Sequence, residues 1–263
     1  MESLQMALDL QGRCVCVTGA SSGIGRACTE AFAALGCRLI ILARRRDRLE
    51  VLAEELRAGA GAEVLTAVLD VRDRRAVETW GDELPVQWRE IDILVNNAGL
   101  ARGLAPLHQG DVADWEEMID TNIKGLLYMT REVLVGMVER GSGHVINIGS
   151  IAGHEVYPGG SVYCATKHAV TALNRTLAID TLGTGVRVSS VDPGMVETEF
   201  SLVRFHGDTE RAEGVYDGLE PLRGEDVADA VVFCATRPTN ANVREMILTA
   251  GAQASAVHAH RSS

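Results

Sequence analysis

The chain has 263 residues, 46% apolar and 23% charged, with 27 glycines and a formal net charge of −11, which is the composition of a soluble globular protein with enough apolar content for a sizeable core. That acidity argues against nucleic acid or an anionic membrane surface as a partner, because both attract basic patches. The longest apolar runs, such as residues 39–43, are strand-sized, and the first ten residues carry Glu2 and Asp9 where an export signal is basic, so a cytoplasmic protein is expected, with Met6 as an alternative start.

Six cysteines (Cys14, Cys16, Cys28, Cys37, Cys164 and Cys234) contain no Cys-x-x-Cys pair and sit inside apolar runs. They read as small core residues of a reducing compartment, with neither a disulfide nor a structural metal expected.

In chain order, Val15-Cys16-Val17 reads as a buried strand and residues 26–32 as the helix that follows. Between them stands Thr18-Gly19-Ala20-Ser21-Ser22-Gly23-Ile24-Gly25. A glycine turn of this kind lets the backbone approach a phosphate, while the helix N-terminus offers unpaired N–H groups and partial positive charge. The spacing G-x-x-x-G-x-G departs from the generic G-x-G-x-x-G fingerprint, and a plain glycine-rich turn is the alternative. Gly36 marks the helix end, and residues 38–42 form a second buried strand, closing a βαβ unit. An NAD-binding chain commonly places a carboxylate at this strand end for the ribose 2′-hydroxyl. Here the chain reads Ala43-Arg44-Arg45-Arg46. Arg44 and Arg45 suit a 2′-phosphate, which favours NADP, while Arg46 and Arg48 read as the solvated start of a helix over 46–57.

A third strand over 64–69 ends at Asp70-Val71, where Asp70 is either an adenine contact or a helix cap. A helix over 73–84, a break at Pro85 and a fourth strand over 91–95 lead into Asn96-Asn97-Ala98-Gly99. Residues 113–140 keep helical spacing for longer than an average helix, with Asn122 in the middle either tolerated or deforming it. The fifth strand, 144–148, ends at Gly149-Ser150, at the carboxyl edge where ligands of such sheets bind. The next helix, 161–182, carries Tyr163 and Lys167 on one face. With two lysines and four tyrosines in the chain, a chance Tyr-x-x-x-Lys is expected only about 0.03 times. A sixth strand (186–191) closes at Asp192-Pro193-Gly194, a polar stretch over 197–218 reads as a lid, residues 224–236 as a helix, 246–249 as a seventh strand and 254–263 as a loose tail. The alternation with short connections predicts one α/β domain over 1–263, a Rossmann fold with a doubly wound parallel sheet of about seven strands.

Taken together, Thr18 to Gly25, Asn96-Asn-Ala-Gly99, Asn122, Ser150, Tyr163-x-x-x-Lys167 and Pro193-Gly194 resemble, in order and interval, the motifs of the short-chain dehydrogenases/reductases. The resemblance covers almost the whole chain. It is similar in particular to the branch of NADP-dependent 3-hydroxy acid dehydrogenases that also oxidise serine and allo-threonine, through Ile91-Asp-Ile-Leu-Val-Asn-Asn-Ala-Gly-Leu100, Asp114-Trp-Glu-Glu-Met-Ile-Asp-Thr-Asn122, Lys124-Gly-Leu-Leu-Tyr-Met-Thr-Arg131 and Thr198-Glu-Phe-Ser-Leu-Val-Arg-Phe205. The resemblance implies Asn122, Ser150, Tyr163 and Lys167 as catalytic residues. Tyr163 is then the acid/base, Lys167 the cation that favours its phenolate and binds the nicotinamide ribose, Ser150 the substrate-orienting hydroxyl, and Asn122 the holder of a relay water. The implied NADP contacts are Gly19, Ser21, Ser22, Gly23, Ile24, Gly25, Arg44, Arg45, Asp70, Val71, Asn97, Ala98, Gly99, Tyr163, Lys167, Pro193, Gly194, Val196 and Thr198.

The expected substrate is a small 3-hydroxy acid held by Ser150, Tyr163 and Arg204, the last chosen because such an acid needs a cation and Arg204 lies in the lid. The alternatives for Arg204 are a solvated role or a pair with Glu199 or Asp208. Bulkier ketones are the alternative substrates, and a non-catalytic nucleotide-binding scaffold is disfavoured by the intact catalytic set. A homotetramer built on the helices around Asn122 and Tyr163 is implied by the resemblance, with Met118, Leu126, Met129 and Met137 read either as a partner surface or as ordinary core.

Overall fold

The computed structural model describes residues 7–262, so the possible start at Met6 lies outside the described residues. Seven short apolar runs form one sheet: β1 (Cys14–Thr18), β2 (Arg38–Ala43), β3 (Val64–Val68), β4 (Ile93–Asn96), β5 (Gly143–Ile148), β6 (Val186–Pro193) and β7 (Glu245–Leu248). All pairs are parallel, in the order β3-β2-β1-β4-β5-β6-β7. Interior strands such as Cys14–Thr18 are buried along their full length because helices cover both faces, which is why they read as continuous apolar runs. On one face α1 (Gly23–Ala34), α2 (Arg46–Ala60) and α9 (Gly224–Ala235) enclose Val15, Val17, Phe32, Leu39, Ile41, Leu52 and Val231. On the other, α3 (Arg74–Glu83) and α5 (Leu126–Arg140) cover Cys16, Ile40, Leu42, Leu94 and Val145, the alternate residues of the same strands. Local chemistry ends the helices where expected: Asp73 caps α3 by accepting from the Ala76 N–H at 3.1 Å, and Gly61 and Gly141 take left-handed conformations after α2 and α5.

The stretch 113–140 is not one helix. α4 (Val112–Ile119) passes through a π-helical turn, Asp120–Gly125, into α5. Met118, Leu126, Met129 and Met137 are buried within this one chain, so they are core, and the partner-surface reading of them is corrected. The segment 197–218 holds two short helices, α7 (Phe200–Arg204) and α8 (Thr209–Glu213). Residues 254–262, expected to be loose, instead cross this segment: Arg261 donates to the Val215 carbonyl at 3.0 Å and also to that of Asp217, and the Ser262 N–H donates to Gly218 O at 2.8 Å. The Ala256 N–H donates to the Glu155 carboxylate at 2.7 Å. All six cysteines are free and buried. α6 (Ser161–Asp180), the longest helix, completes the scaffold beside β6.

His144 on β5 is 2% exposed, and burial pushes its imidazole down to about 3, with the Arg187 cation acting in the same direction. The Ser189 hydroxyl is directed to Asn242 Oδ1 at 3.3 Å, so His144 donates from Nε2 to Ser189 Oγ at 2.8 Å, and Nδ1 stays unprotonated with no partner among the described residues. Protonation would bury an unpaired N–H and a charge. The unfolded chain binds this proton below the ordinary histidine pKa and the folded chain does not, so stability falls as pH drops from about 6.5 towards 3, by up to ~1.4 kcal/mol per pH unit from this group. Urea unfolding of the parent and of His144→Gln over pH 4–7 should show the shallower pH dependence in the variant.

Candidate functional site

The strand order reverses between β1 and β4, and the cleft opens at their carboxyl ends. Two side chains staple those ends together. Thr18 Oγ1 accepts from the Asn97 and Ala98 N–H groups at 3.0 and 2.9 Å, and Asn97 Nδ2 donates to the Thr18 and Gly19 carbonyls at 2.9 and 3.2 Å. The glycine loop packs directly on this staple. Gly19 has φ +66°, and a Cβ on Gly25 would stand 2.3 Å from both Asn97 Nδ2 and the Gly19 carbonyl. α1 therefore begins hard against the sheet, with no side chain capping its first turn and no acid there, which leaves its N–H groups for an anion.

The cleft, of about 300 Å³, is lined by Gly19, Ser21, Ser22, Gly23, Ile24, Arg44, Arg45, Asp70, Val71, Asn97, Ala98, Gly99, Ser150, Tyr163, Lys167, Pro193, Gly194, Val196 and Thr198, all expected from the sequence. Gly25 and Asn122 stand behind that wall rather than in it. Asn122, buried in the π-turn, accepts from the Leu100 N–H at 2.9 Å and donates to the Leu100 carbonyl at 2.8 Å and to Thr166 Oγ1 at 3.0 Å. It thus deforms its helix to tie the Asn97–Gly99 loop to α6. Asp70 does not cap α3; its carboxylate receives Nε and Nη2 of Arg72 at 2.9 and 2.6 Å.

Arg45 Nη2 donates to Ser22 Oγ at 2.8 Å and Ser21 Oγ at 3.2 Å, and Arg44 stands beside it. Two guanidiniums and two hydroxyls next to a helix N-terminus fit a 2′-phosphate, and the strand end itself carries no carboxylate. The glycine cradle, which a Cβ would fill, fits the pyrophosphate.

At the other end of the cleft Ser150 Oγ follows β5, accepting from the Ala152 N–H at 3.1 Å. Lys167, 7% exposed, donates to the Ile148 carbonyl at 2.9 Å, and burial pushes its ammonium down to about 8 against the pull of Asp192. Tyr163 lies between them. Burial and the neighbouring Tyr157 push its phenol well above the ordinary value, while a hydrogen bond with Ser150 and the Arg204 cation oppose them. Two cations flank its ring: Lys167 Nζ at 5.9 Å from the centroid and Arg204 Cζ at 5.6 Å. Arg204 donates from Nη2 to Tyr157 Oη at 2.6 Å and from Nε to the Gly103 carbonyl at 3.1 Å. It pairs with neither Glu199, which is engaged by Arg45 and Arg48, nor Asp208, which caps α8.

Sequence reasoning gave no site role to Phe200, Arg102 or Glu117, and placed Glu199 as a partner of Arg204 rather than of Arg45. Phe200 meets the Tyr163 ring edge-on at 5.6 Å, and Glu117 is held below the ordinary carboxylate range by the Arg102 hydrogen bond, against burial. It missed as well the buried Asp192, whose carboxylate receives the Ser190 hydroxyl and meets His154 Nε2 at 2.8 Å. None has a local spacing that marks it; each is defined by a partner far away in the chain. Among the described residues no group of three or more His, Cys, Asp or Glu side chains is placed to hold a metal, and no helix is long and apolar enough to cross a membrane.

Residues 13–207 match the short chain dehydrogenase family model. The chain belongs to the short-chain dehydrogenase family. It is 52% identical over 230 residues to the NADP-dependent 3-hydroxy acid dehydrogenase YdfG of Salmonella typhi, covering 87% of this chain and 91% of that one. It is 48% identical over 233 residues to sulfoacetaldehyde reductase 2 of Chromohalobacter salexigens, covering 88% and 92%. Among solved structures, the closed form of a serine dehydrogenase complexed with NADP+ superposes with a TM-score of 0.88 at 47% identity, over 95% of this chain and all of that one. The short-chain dehydrogenase is thus an NADP-dependent oxidoreductase with a Rossmann-type sheet.

Gly25→Ala tests the packing on which the cradle depends. Overfilling this contact should cost about 2 kcal/mol or more, a fall in Tm of about 4 °C or more for a chain of this size, and weaken NADP+ binding. Calorimetry of the apo protein and titration with NADP+ would check both.

Proposed function

We propose that this short-chain dehydrogenase interconverts a small 3-hydroxy acid of the serine, allo-threonine or 3-hydroxypropionate type with its carbonyl form. The observation that carries the reading is Arg204: a cation 5.6 Å from the Tyr163 ring whose hydrogen-bond partners are a phenol and a carbonyl, with no carboxylate within salt-bridge distance among the described residues. A guanidinium beside the reacting hydroxyl and lacking an anion suits a substrate that brings its own. The relatives' names point the same way, since a 3-hydroxy acid and sulfoacetaldehyde each place an acid group near the carbon that is oxidised or reduced.

In this reading the bound NADP supplies the hydride acceptor or donor. Tyr163 Oη takes the substrate hydroxyl proton during oxidation and returns it during reduction. Burial and Tyr157 oppose the phenolate this needs; the Ser150 hydrogen bond and the flanking Arg204 favour it, with Lys167 adding a second positive charge when protonated. Ser150 orients the substrate oxygen, and Lys167 is fixed by the Ile148 carbonyl to reach the nicotinamide ribose. Asn122 acts by holding the Leu100 backbone and α6 in register, in addition to any relay water. The cofactor contacts of the loop, Arg44, Arg45 and the Asn97–Gly99 and Pro193–Thr198 segments complete the site. We further infer one catalytic domain in the cytoplasm, supported by the continuous sheet and six free thiols, and a homotetramer. The tetramer is supported by apolar residues left exposed on α5 and α6, Leu127, Val135, Val138 and Ile179, in place of the four buried ones.

Tyr163→Phe should abolish turnover with NADP+ affinity nearly unchanged, because only the hydroxyl is removed; steady-state kinetics with fluorescence titration of the cofactor would read both. Arg204→Leu should raise KM for serine or 3-hydroxypropionate at least tenfold, about 1.4 kcal/mol, and spare uncharged ketones. Equal losses for charged and neutral substrates would assign Arg204 to lid folding and leave bulkier ketones as the substrate class.

A further inference from the structure

The two arginines that face the 2′-phosphate position are both wired to helix α7, the segment that carries Arg204. Arg45 divides its guanidinium: Nη2 serves the Ser21 and Ser22 hydroxyls in the cleft, and Nη1 donates to Glu199 Oε2 at 2.9 Å. Glu199 is the residue at the N-terminal end of α7, where its carbonyl accepts from the Val203 N–H at 2.9 Å, and its other carboxylate oxygen receives Arg48 Nη1 at 2.6 Å. At the far end of the helix, Glu117 Oε1 receives Arg72 Nη1 at 3.3 Å, and Arg44 Nη1 lies 3.8 Å from the same oxygen. The second oxygen of Glu117 receives Arg102 Nε at 2.6 Å, and Arg102 Nη1 donates to the Val203 carbonyl at 2.5 Å. The Gly103 N–H donates to the Arg204 carbonyl at 2.8 Å beside it. The N-terminal end of a five-residue helix therefore carries a carboxylate that holds Arg45, and its C-terminal end is held by Arg102, whose partner Glu117 also lies within ion-pair distance of Arg44.

We propose that Glu199 and Glu117 couple recognition of the cofactor 2′-phosphate to closure of α7 over the cleft. This rests on reading Arg44 and Arg45 as the phosphate's ligands. Arg45 is the shared element. Its cleft-facing nitrogen is held by two neutral hydroxyls, which fix a guanidinium weakly; a phosphate dianion at the same point fixes it by charge-assisted bonds. The lid-facing nitrogen remains on Glu199, so anchoring one side of the planar fork orders the other. These pairs are about half exposed and individually weak, so Glu199 has little influence on α7 until Arg45 is anchored. The phosphate and the closed lid then favour each other, and by linkage the lid tightens the phosphate by the same factor. A non-phosphorylated cofactor fills the cradle but leaves Arg45, and with it α7, on the weaker hydroxyl and surface contacts alone. The correct cofactor thus stabilises the arrangement in which Arg204 stands 5.6 Å from the Tyr163 ring.

The test is hydrogen exchange of the amides over 198–206 in the full chain, saturated with NADP+ or with NAD+ and without any hydroxy acid present, in the parent and in Glu199→Gln. In the parent these amides should exchange about fivefold more slowly with NADP+ than with NAD+, a ratio at the lower end of coupling energies. In Glu199→Gln the ratio should fall towards one, and Glu117→Gln should lower it at 203–206 in particular. Equal exchange with the two cofactors in the parent, faster exchange with NADP+, or a ratio that survives both replacements together would overturn the coupling. Dissociation constants from the same samples separate it from the reading beneath it. NADP+ bound no more tightly than NAD+ removes Arg44 and Arg45 as phosphate ligands, whereas tighter NADP+ binding with equal lid exchange removes the coupling alone.

Discussion

The contact between the carboxyl ends of β1 and β4 is what the remaining structure is arranged around. These strands part at the reversal of the sheet order, and a parted pair of strand ends leaves backbone N–H and C=O groups that must find partners. Thr18 and Asn97 supply them, each bonding to the other strand's backbone. That staple sets the height at which the glycine loop can rest, and Gly25 has no room for a side chain because α1 is seated on it. The phosphate cradle, the start of α1 and the floor of the cleft are consequences of one pair of polar side chains and one missing Cβ.

A second layer of polar order runs at right angles to the first. Asn96 donates to Asn147 Oδ1 at 2.9 Å, Asn147 to Asn174 Oδ1 at 3.0 Å, and Asn174 to the Arg244 carbonyl at 3.1 Å. This buried chain crosses β4, β5 and α6 just beneath Ser150, Tyr163 and Lys167. A buried amide that loses its partner costs more than the bond itself contributes, so the network resists sliding of α6 along the sheet. α6 is fixed in height by amides and in orientation by Lys167 on the Ile148 carbonyl.

What the sequence reveals of this design follows from how local each signal is. The strands, the glycine loop, Ser150 and the Tyr163/Lys167 pair depend on spacing within a few residues, and all stand where the pattern places them. The π-turn is invisible because helical spacing continues on both sides of it; only Asn122 hints at it. Arg204 was legible as a cation in a lid, but its bond to Tyr157, 47 residues away, was not. Nor was Glu199, whose partner Arg45 is 154 residues distant and on another layer. Polar pairs between layers leave no periodicity behind, so 197–218 reads only as a polar lid, without its two short helices. Residues 254–263 read as loose for the same reason: 254–262 are held by backbone carbonyls and by the Glu155 carboxylate 101 residues away, neither of which leaves a sequence signature.

The π-turn also bears on how such a chain can change length. Each helical residue advances the direction of its side chain by about 100°, so the one extra residue in a wide turn offsets the face of α4 from that of α5 by roughly that angle. α5 uses its phase to lay Met129, Val133 and Met137 on the sheet, while α4 uses the shifted phase to turn Met118 towards Leu100 and Tyr163. Deleting a single residue within 120–125 would turn the face of α4 relative to that of α5 and take Met118 away from Leu100 and Tyr163. The number of residues in this turn therefore sets which side chain of α4 meets Leu100 and Tyr163, while Asn122 in the same turn keeps the strand-end loop tied to α6.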